Sequence, residues 1–155
     1  MDRPLGMAQI RRVSPDDIEL FRNSMLVFGE AFREMDTYTK KIPSEEYIRA
    51  LLQKDSFIAL VALEDGKVVG ALAAYVLEKF EQERKEIYIY DIAVSEAYRR
   101  RGIATALIKR LKDIAKEVEA YVIYVQADRG DEAAIRLYES FGKKEEVLHF
   151  DIDVY

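Results

Sequence analysis

The spacing of the apolar residues changes within one segment, residues 86–118, and this change constrains the fold more than any other feature of the sequence. Residues 86–94 (EIYIYDIAV) are apolar on both faces of a strand, which favours a central position in a sheet. Tyr121–Gln126 is again typical of a strand. The segment therefore predicts two parallel strands joined by a helix in a right-handed crossover. The helical spacing between them is carried by Ile103, Leu107, Leu111, Ile114 and Val118.

The flanking sequence predicts the other elements of one α+β domain spanning residues 1–155, with a mixed, mostly antiparallel sheet flanked by helices. Asp65-Gly66 favours a tight hairpin turn, so the β-rich runs on either side should pair antiparallel. Strands are predicted at Gln9–Val13, Ser56–Leu63, Lys67–Leu77 and Val147–Val154. Helices are predicted at Pro15–Phe32 with Ser14 as N-cap, after Pro43-Ser44, and at Asp131–Phe141. Met35–Ile42 is predicted to be a loop that borders the substrate.

The composition excludes several kinds of chemistry. The sequence has no cysteine, so a disulfide framework, a thiolate metal site and a covalent cysteine intermediate are ruled out. Its single histidine, His149, cannot build a zinc site alone, and no serine lies in a Gly-x-Ser-x-Gly turn. We therefore expect no metal site and no hydrolase triad.

The charge and hydropathy of the chain indicate the kind of partner it binds. The 24 basic and 29 acidic residues give a net charge of −5, which repels polyanions and attracts cations. A cationic amine is therefore expected rather than a nucleic acid. No apolar run reaches the roughly 18–20 residues that span a bilayer, and Met1–Gly6 lacks the pattern of a secretory signal. The expected location is the cytoplasm, without a membrane partner.

The loop between the central strand and the following helix is the main candidate binding site. Small residues and a glycine there would leave backbone N–H groups uncovered at the start of a helix, where an anion such as a pyrophosphate is stabilised. Arg99–Arg101 would add charge-assisted contacts. The alternative is a solvated arginine loop with an ordinary turn at Gly102. The candidate anion-binding residues are Ile92, Ala93, Val94, Arg99, Arg100, Arg101, Gly102, Ile103, Ala104 and Thr105.

Two segments resemble the coenzyme-binding elements of the GNAT superfamily of N-acetyltransferases. The pattern Arg99-x-x-Gly102-x-Ala104 resembles the pyrophosphate signature of that superfamily, and it lies in the required strand, turn and helix setting. Residues 131–142 resemble its second coenzyme-binding element, although Asp131 stands where asparagine is more common. Asp131 is thus a candidate coenzyme contact or a helix N-cap. Longer runs resemble the aminoglycoside (gentamicin) 3-N-acetyltransferases, chiefly Ile87–Asp91, Tyr121–Asp128 and His149–Asp153.

This resemblance implies a fold, a reaction and partners. The implied fold is the three-layer GNAT arrangement, in which one parallel strand pair splays apart. The implied reaction transfers acetyl directly from acetyl-CoA to an amino group of a gentamicin-type aminoglycoside, within a ternary complex and without an acyl-enzyme. The absence of cysteine agrees with that route. Related enzymes also favour a homodimer.

The resemblance implies roles for individual side chains, and each has a structural alternative. Asp91 is the candidate base and substrate carboxylate, or else a structural carboxylate. Tyr138 is the candidate general acid, because a phenol can protonate a thiolate, or else an ordinary core tyrosine. Backbone N–H groups near Ala93 and Val94 are candidate oxyanion donors and pantetheine contacts, and an uninterrupted strand is the alternative there. The candidate carboxylates for other substrate ammonium groups are Glu86, Asp151 and Asp153, each of which has a surface charge as its alternative.

Other functions stay open at this point. An acetyltransferase of a polyamine, an amino sugar or a protein amine would carry the same coenzyme motif. A coenzyme-binding module without turnover would also carry it. A nucleic-acid binder that uses Arg99–Arg101 would show strongly salt-dependent affinity, and the net negative charge argues against it. For His149 we expect packing or a dimer contact rather than catalysis.

Overall fold

The computed structural model describes residues 8–155, and Met1–Gly6 lies outside the described residues. The strands are β1 (Gln9–Arg12), β2 (Phe57–Glu64), β3 (Lys67–Glu78), β4 (Lys85–Val94) and β5 (Ala120–Val125). The α-helices are α1 (Ile18–Phe32), α2 (Met35–Thr39), α3 (Glu45–Leu52), α4 (Ile103–Glu117) and α5 (Glu132–Glu139), and a short 3-10 helix spans Glu96–Tyr98. Within the described part of the chain, no helix is long and apolar enough to cross a membrane.

The strands form one mixed sheet in the order β1-β2-β3-β4-β5. Neighbours from β1 to β4 are antiparallel, whereas β4 and β5 are parallel, as the sequence predicts. The β2–β3 hairpin closes at the pair Glu64↔Lys67 through Asp65 and Gly66, whose φ angles are +50° and +78°. Positive φ at both central residues is what a tight hairpin turn requires, and Asp-Gly supplies it at low cost.

Helices cover both faces of the sheet and make a three-layer α+β fold. On one face, α4 buries Leu107, Leu111 and Ile114 against strands β2 to β4. On the other face, α1 and α3 pack Phe28 and Ile48 against β2 and β3. The uninterrupted apolar runs of β2 and β3 reflect this two-sided burial, because both faces of a central strand must be apolar.

Two helical regions differ from the sequence-based prediction. α1 begins at Ile18 rather than at Pro15, because residues 14–17 form a turn in which the Asp17 carboxylate accepts hydrogen bonds from the Ser14 N–H and Oγ. Met35–Ile42 is not entirely a loop, since α2 occupies Met35–Thr39. The short helix packs closely on α1, because Gly29 lacks the Cβ that would lie 2.7 Å from Met35 Sδ.

The predicted last strand, Val147–Val154, is wrong for the isolated chain. Residues 143–155, here called the C-terminal arm, adopt neither helix nor strand, and their side chains are exposed. Their alternating sequence is typical of a strand, but a strand forms only where a neighbour accepts and donates its hydrogen bonds. None of the five described strands pairs with the arm.

Candidate active site

β4 carries a bulge and then separates from β5. Ala73 pairs with Asp91 and Ala74 with Ile89, so Tyr90 is an extra residue opposite β3. The parallel pairing with β5 ends at Ile89↔Val125, while β4 continues to Val94. Bulges re-aim side chains and end pairing next to functional sites. The result is an opening in the sheet beside residues 90–94, whose backbone is paired with β3 on one side only.

The loop after β4 delivers the chain to the exposed N-terminus of α4. Gly102 is the N-cap, with φ +78° and ψ +14°, and no side chain caps the helix. The first backbone hydrogen bond of the helix runs from Ala106 N to Gly102 O, at 3.0 Å. The N–H groups of residues 103–105 therefore have no acceptor within the helix, and the helix dipole makes this end positive.

A close approach between β3 and α4 holds that helix start in place. A Cβ on Gly70 would lie 2.9 Å from Ile103 Cγ2 and 3.4 Å from the Ala93 carbonyl oxygen. Ser95 N also donates to Val69 O at 2.8 Å. The absence of a side chain at Gly70 thus brings the end of β4 and the first turn of α4 together.

The three loop arginines have different surroundings. Arg99 Nε donates to Val94 O at 3.1 Å, so this side chain braces the loop. Arg101 is 3.4 Å from Glu64 Oε1 and lies over the Tyr98 ring, 5.2 Å from its centroid. Arg100 has φ +64° and an exposed side chain, with no hydrogen bond or ion pair among residues 8–155. Arg100 is therefore the one available to bind an anion at the helix start.

A mostly apolar cavity of about 230 Å³ lies on the α1–α3 side of β4. Among residues 8–155, Asp91 is the only carboxylate in its lining, so a ligand that enters would meet this anionic group in an aromatic surrounding. The residues that line it are Phe21, Ser24, Met25, Phe28, Tyr38, Pro43, Tyr47, Ile48, Leu51, Phe57, Ala59, Leu72, Ala73, Tyr75, Tyr90 and Asp91. A larger depression, of about 550 Å³, lies at the start of α1 and contains the Arg11–Asp17 ion pair, but no residue of β4 reaches it.

Asp91 is partly buried and hydrogen-bonded. Tyr38 Oη donates to its Oδ2 at 2.7 Å. Burial raises the pKa of Asp91 above its ordinary value, the hydrogen bond from Tyr38 lowers it in part, and the negative charge of Glu34 raises it again. Burial, followed by the bond to Asp91, raises the pKa of Tyr38, which keeps its proton for this bond. A carboxylate whose pKa lies above the usual range suits a general base.

Tyr138 lies in α5, partly buried against the core cluster of α4. Burial raises its pKa to about 12, and the negative charges of Asp131 and Asp91 contribute. The phenol therefore holds its proton at neutral pH. Asp131 caps α5 by accepting from Ala134 N at 3.1 Å, so its N-cap role is observed.

The structure does not bring the other candidate substrate carboxylates to the cavity. Glu86 is 3.6 Å from Lys79 Nζ and accepts a hydrogen bond from Tyr121 Oη. Asp151 and Asp153 are on the exposed arm, where Asp151 Oδ1 is 2.9 Å from Nε2 of His149. None of these carboxylates lines the cavity that contains Asp91.

Sequence analysis missed Tyr38, Glu34 and the cavity tyrosines. Tyr38 and Asp91 are 53 positions apart in the sequence, and only the folded structure brings them together. The one available signal was the Thr-, Tyr- and Lys-rich composition of residues 35–42, which indicated a substrate border without singling out a residue.

Comparisons with known proteins agree with this geometry. The Acetyltransferase (GNAT) family matches residues 25–143, and the chain belongs to that family. It is similar to the crystal structure of an aminoglycoside acetyltransferase, HMB0005, from an uncultured soil metagenomic sample, with 56% identity, a TM-score of 0.94, and 96% of this chain and 99% of that chain covered. A second soil metagenomic aminoglycoside acetyltransferase, meta-AAC0020 in complex with sisomicin, gives 31% identity, a TM-score of 0.88, and coverage of 96% and 97%.

The curated relatives are matched over only part of their own length. An uncharacterized N-acetyltransferase, MJ1207 of Methanocaldococcus jannaschii, is 30% identical over 88% of this chain and 60% of its own length. An N-alpha-acetyltransferase of Sulfurisphaera tokodaii is 36% identical over 55% of each. The chain thus spans about half to three-fifths of the length of these relatives. Fold and family together define a GNAT-type N-acetyltransferase domain, for which acetyl-CoA is the acyl donor.

Proposed function

We propose that this protein transfers acetyl from acetyl-CoA to an amino group of an aminoglycoside, at position 3-N of gentamicin-type compounds. The observation that carries the proposal is the position of Asp91, a partly buried carboxylate at the sheet opening and in the wall of an apolar cavity. A cationic amine that enters the cavity meets this one carboxylate. The soil aminoglycoside acetyltransferases support the choice of amine.

The coenzyme site follows from the residues at the start of α4. The N–H groups of Ile103, Ala104 and Thr105 and the side chain of Arg100 are the donors for the pyrophosphate. Arg99 and Arg101 hold the loop through Val94 O and Glu64. The opening beside residues 90–94, where the pairing of β4 with β5 has ended, is where the chain would hold the pantetheine arm.

The chain's own groups then supply each proton transfer. Acetyl-CoA provides an acetyl group activated as a thioester. Asp91 accepts a proton from the substrate ammonium, directly or through water, and the free amine nitrogen forms a bond to the acetyl carbonyl carbon. Backbone N–H groups near Ala93 and Val94 donate to the carbonyl oxygen as it gains negative charge. As the carbon–sulfur bond breaks, Tyr138 gives its proton to the sulfur. The nitrogen, which became positively charged on bonding to carbon, releases its second proton to solvent, and Tyr138 regains a proton from solvent.

Thiol release from acetyl-CoA tests the proposal, with gentamicin, sisomicin, spermidine and an unacetylated peptide supplied separately. Release with gentamicin and sisomicin that is lost in Asp91→Asn is the expected result, and NMR of the product locates the acetylated nitrogen. Release with spermidine or peptide alone would contradict the aminoglycoside assignment. Coenzyme binding without release with any amine would indicate a module without turnover.

We also propose that the protein is a homodimer. The support is the set of large apolar side chains that the single chain leaves exposed at its C-terminus. Patches of this kind usually mark a binding surface. Sedimentation velocity over a range of concentrations tests the proposal directly, and a chain that stays monomeric throughout would contradict it.

A further inference from the structure

Four tyrosines form a continuous row of rings across strands β3, β4 and β5. The row, here called the tyrosine row, consists of Tyr75 on β3, Tyr90 and Tyr88 on β4, and Tyr124 on β5. The ring centroids of successive members are 5.8, 5.8 and 4.7 Å apart. Tyr90 is 62% exposed, and Tyr75 and Tyr124 are 38% and 37% exposed. An exposed aromatic surface of this kind usually marks a binding site.

The tyrosine row begins inside the cavity and continues outside it. Tyr75 and Tyr90 line the cavity that contains Asp91, whereas Tyr88 and Tyr124 do not. The cavity volume of about 230 Å³ is below the roughly 300–1,000 Å³ of pockets that enclose a whole drug-sized ligand. A multi-ring amine that places one amino group at Asp91 therefore leaves part of its structure outside. The surface that continues from the cavity wall is the tyrosine row.

We propose that the tyrosine row is a second acceptor subsite, which binds the sugar rings of the aminoglycoside that lie outside the cavity. The ammonium groups of those rings lie over the tyrosine faces, and the ring C–H groups pack on them. This inference deepens the proposed acetylation of aminoglycosides and rests on it. Asp91 then selects the reacting amine, while the tyrosine row selects substrates with more than one ring.

Tyrosine suits such a substrate because one side chain offers two kinds of contact. A cation within about 6 Å of the centroid of a tyrosine ring is attracted to its face. The rings bring a large contact area at little cost in conformational entropy, and phenol hydroxyl groups form hydrogen bonds with polar partners. Tyr88 Oη already donates to Gln126 Oε1 at 3.0 Å, so this ring is held in place before a substrate binds.

The charge around the tyrosine row favours a cation. Burial, and in part the negative charge of Asp91, raise the pKa of both Tyr75 and Tyr88. The field of Asp91 therefore extends along the row, where it attracts an ammonium group and repels an anion. The net charge of −5 acts in the same direction.

Steady-state kinetics and calorimetry with a matched set of variants test the subsite. Tyr88→Leu with Tyr124→Leu removes two rings that lie outside the cavity, whereas Tyr88→Phe with Tyr124→Phe keeps the rings and removes only the hydroxyl groups. We expect KM for gentamicin and Kd for sisomicin to rise about 10-fold in the leucine variant, with kcat unchanged. In the phenylalanine variant both should stay within about twofold of wild type. Phe80→Leu is the control, because Phe80 is 98% exposed and lies between β3 and β4, outside the row.

The size of the acceptor gives a second measurement. Wild type should prefer sisomicin to 2-deoxystreptamine, a single ring that can occupy the cavity without reaching the row, by about 10-fold or more in kcat/KM. The leucine variant should lose most of this preference, because the single ring never contacts the row. Equal kcat/KM values for the two amines in wild type, or a preference that the leucine variant retains, would overturn the subsite.

Calorimetry and thiol release together separate this inference from the proposed reaction. Sisomicin binding that weakens in the leucine variant, without thiol release in wild type, would support the subsite and count against the reaction alone. Acetylation of gentamicin with the same KM in every variant would overturn the subsite and leave the reaction standing. A leucine variant with a changed dimer dissociation constant and unchanged affinity for sisomicin would assign the row to a contact between copies, which also overturns it. Circular dichroism checks the fold, and Tyr124→Leu alone replaces a double variant that does not fold.

Discussion

Tyr38 Oη donates a hydrogen bond to Asp91 Oδ2 at 2.7 Å, and this bond joins α2 to the bulged part of β4 across the wall of the cavity. Its effect on Asp91 opposes that of burial, because a donor stabilises the charged carboxylate while an apolar surrounding destabilises it. The pKa of Asp91 is therefore raised, but by less than burial alone would raise it.

The variant Tyr38→Phe removes that donor and should raise the pKa of Asp91 further. A hydrogen bond to a charged group contributes enough to shift a pKa by about one unit. The acidic limb of the kcat/KM profile should therefore move to higher pH by about one unit. Tyr47→Phe is the matched control, since Tyr47 lines the same cavity without a side-chain hydrogen bond to Asp91. A limb that does not move in Tyr38→Phe would mean that Asp91 is not the group that titrates.

The variant Asp91→Asn should abolish acetyl transfer and stabilise the fold at neutral pH. A carboxyl whose pKa is raised in the folded state binds its proton more tightly there than in the unfolded state, so its contribution to stability falls as the pH rises through the folded pKa. Asparagine carries no charge and can still accept from Tyr38. The melting temperature of Asp91→Asn minus that of wild type should therefore increase between pH 4 and pH 8. A difference that stays constant or decreases would contradict the raised pKa.

The parts of the fold that the sequence predicts well depend on local patterns. The β2–β3 hairpin follows from Asp65-Gly66, and α4 follows from apolar residues at helical spacing after Gly102. The bond between Tyr38 and Asp91 could not be predicted in this way, because it depends on how α2 packs over β4. The C-terminal arm also shows that a local sequence pattern does not determine tertiary pairing. Its alternation is a local property, whereas strand pairing requires an edge that only the tertiary structure, or a second copy, supplies.

Arg100→Ala should weaken the binding of acetyl-CoA without affecting the chemical step. The Arg100 side chain is exposed, beside the three free N–H groups at the start of α4, so it is placed to contact a pyrophosphate. Loss of one charge-assisted hydrogen bond should raise KM for acetyl-CoA about 10-fold, with kcat near wild type. Arg110→Ala is the control, because Arg110 lies on the same helix away from its N-terminus and pairs with Glu117 at 3.8 Å. Equal effects in both variants would point to general electrostatics instead of a specific contact.

Tyr138→Phe should reduce kcat while leaving coenzyme binding near wild type. The phenol is partly buried in α5, and its pKa of about 12 keeps it protonated throughout the assay range, so it can deliver a proton to the departing sulfur. Removal of a general acid lowers the rate by about 100-fold or more. Tyr98→Phe is the matched control, since Tyr98 also packs against the α4 core but belongs to the loop before the helix. Because burial in the apolar cluster is retained by phenylalanine, the melting temperature should be preserved in both variants. A kcat for Tyr138→Phe that equals that of wild type would assign this side chain to packing alone, and the proton for the sulfur would then have to come from water.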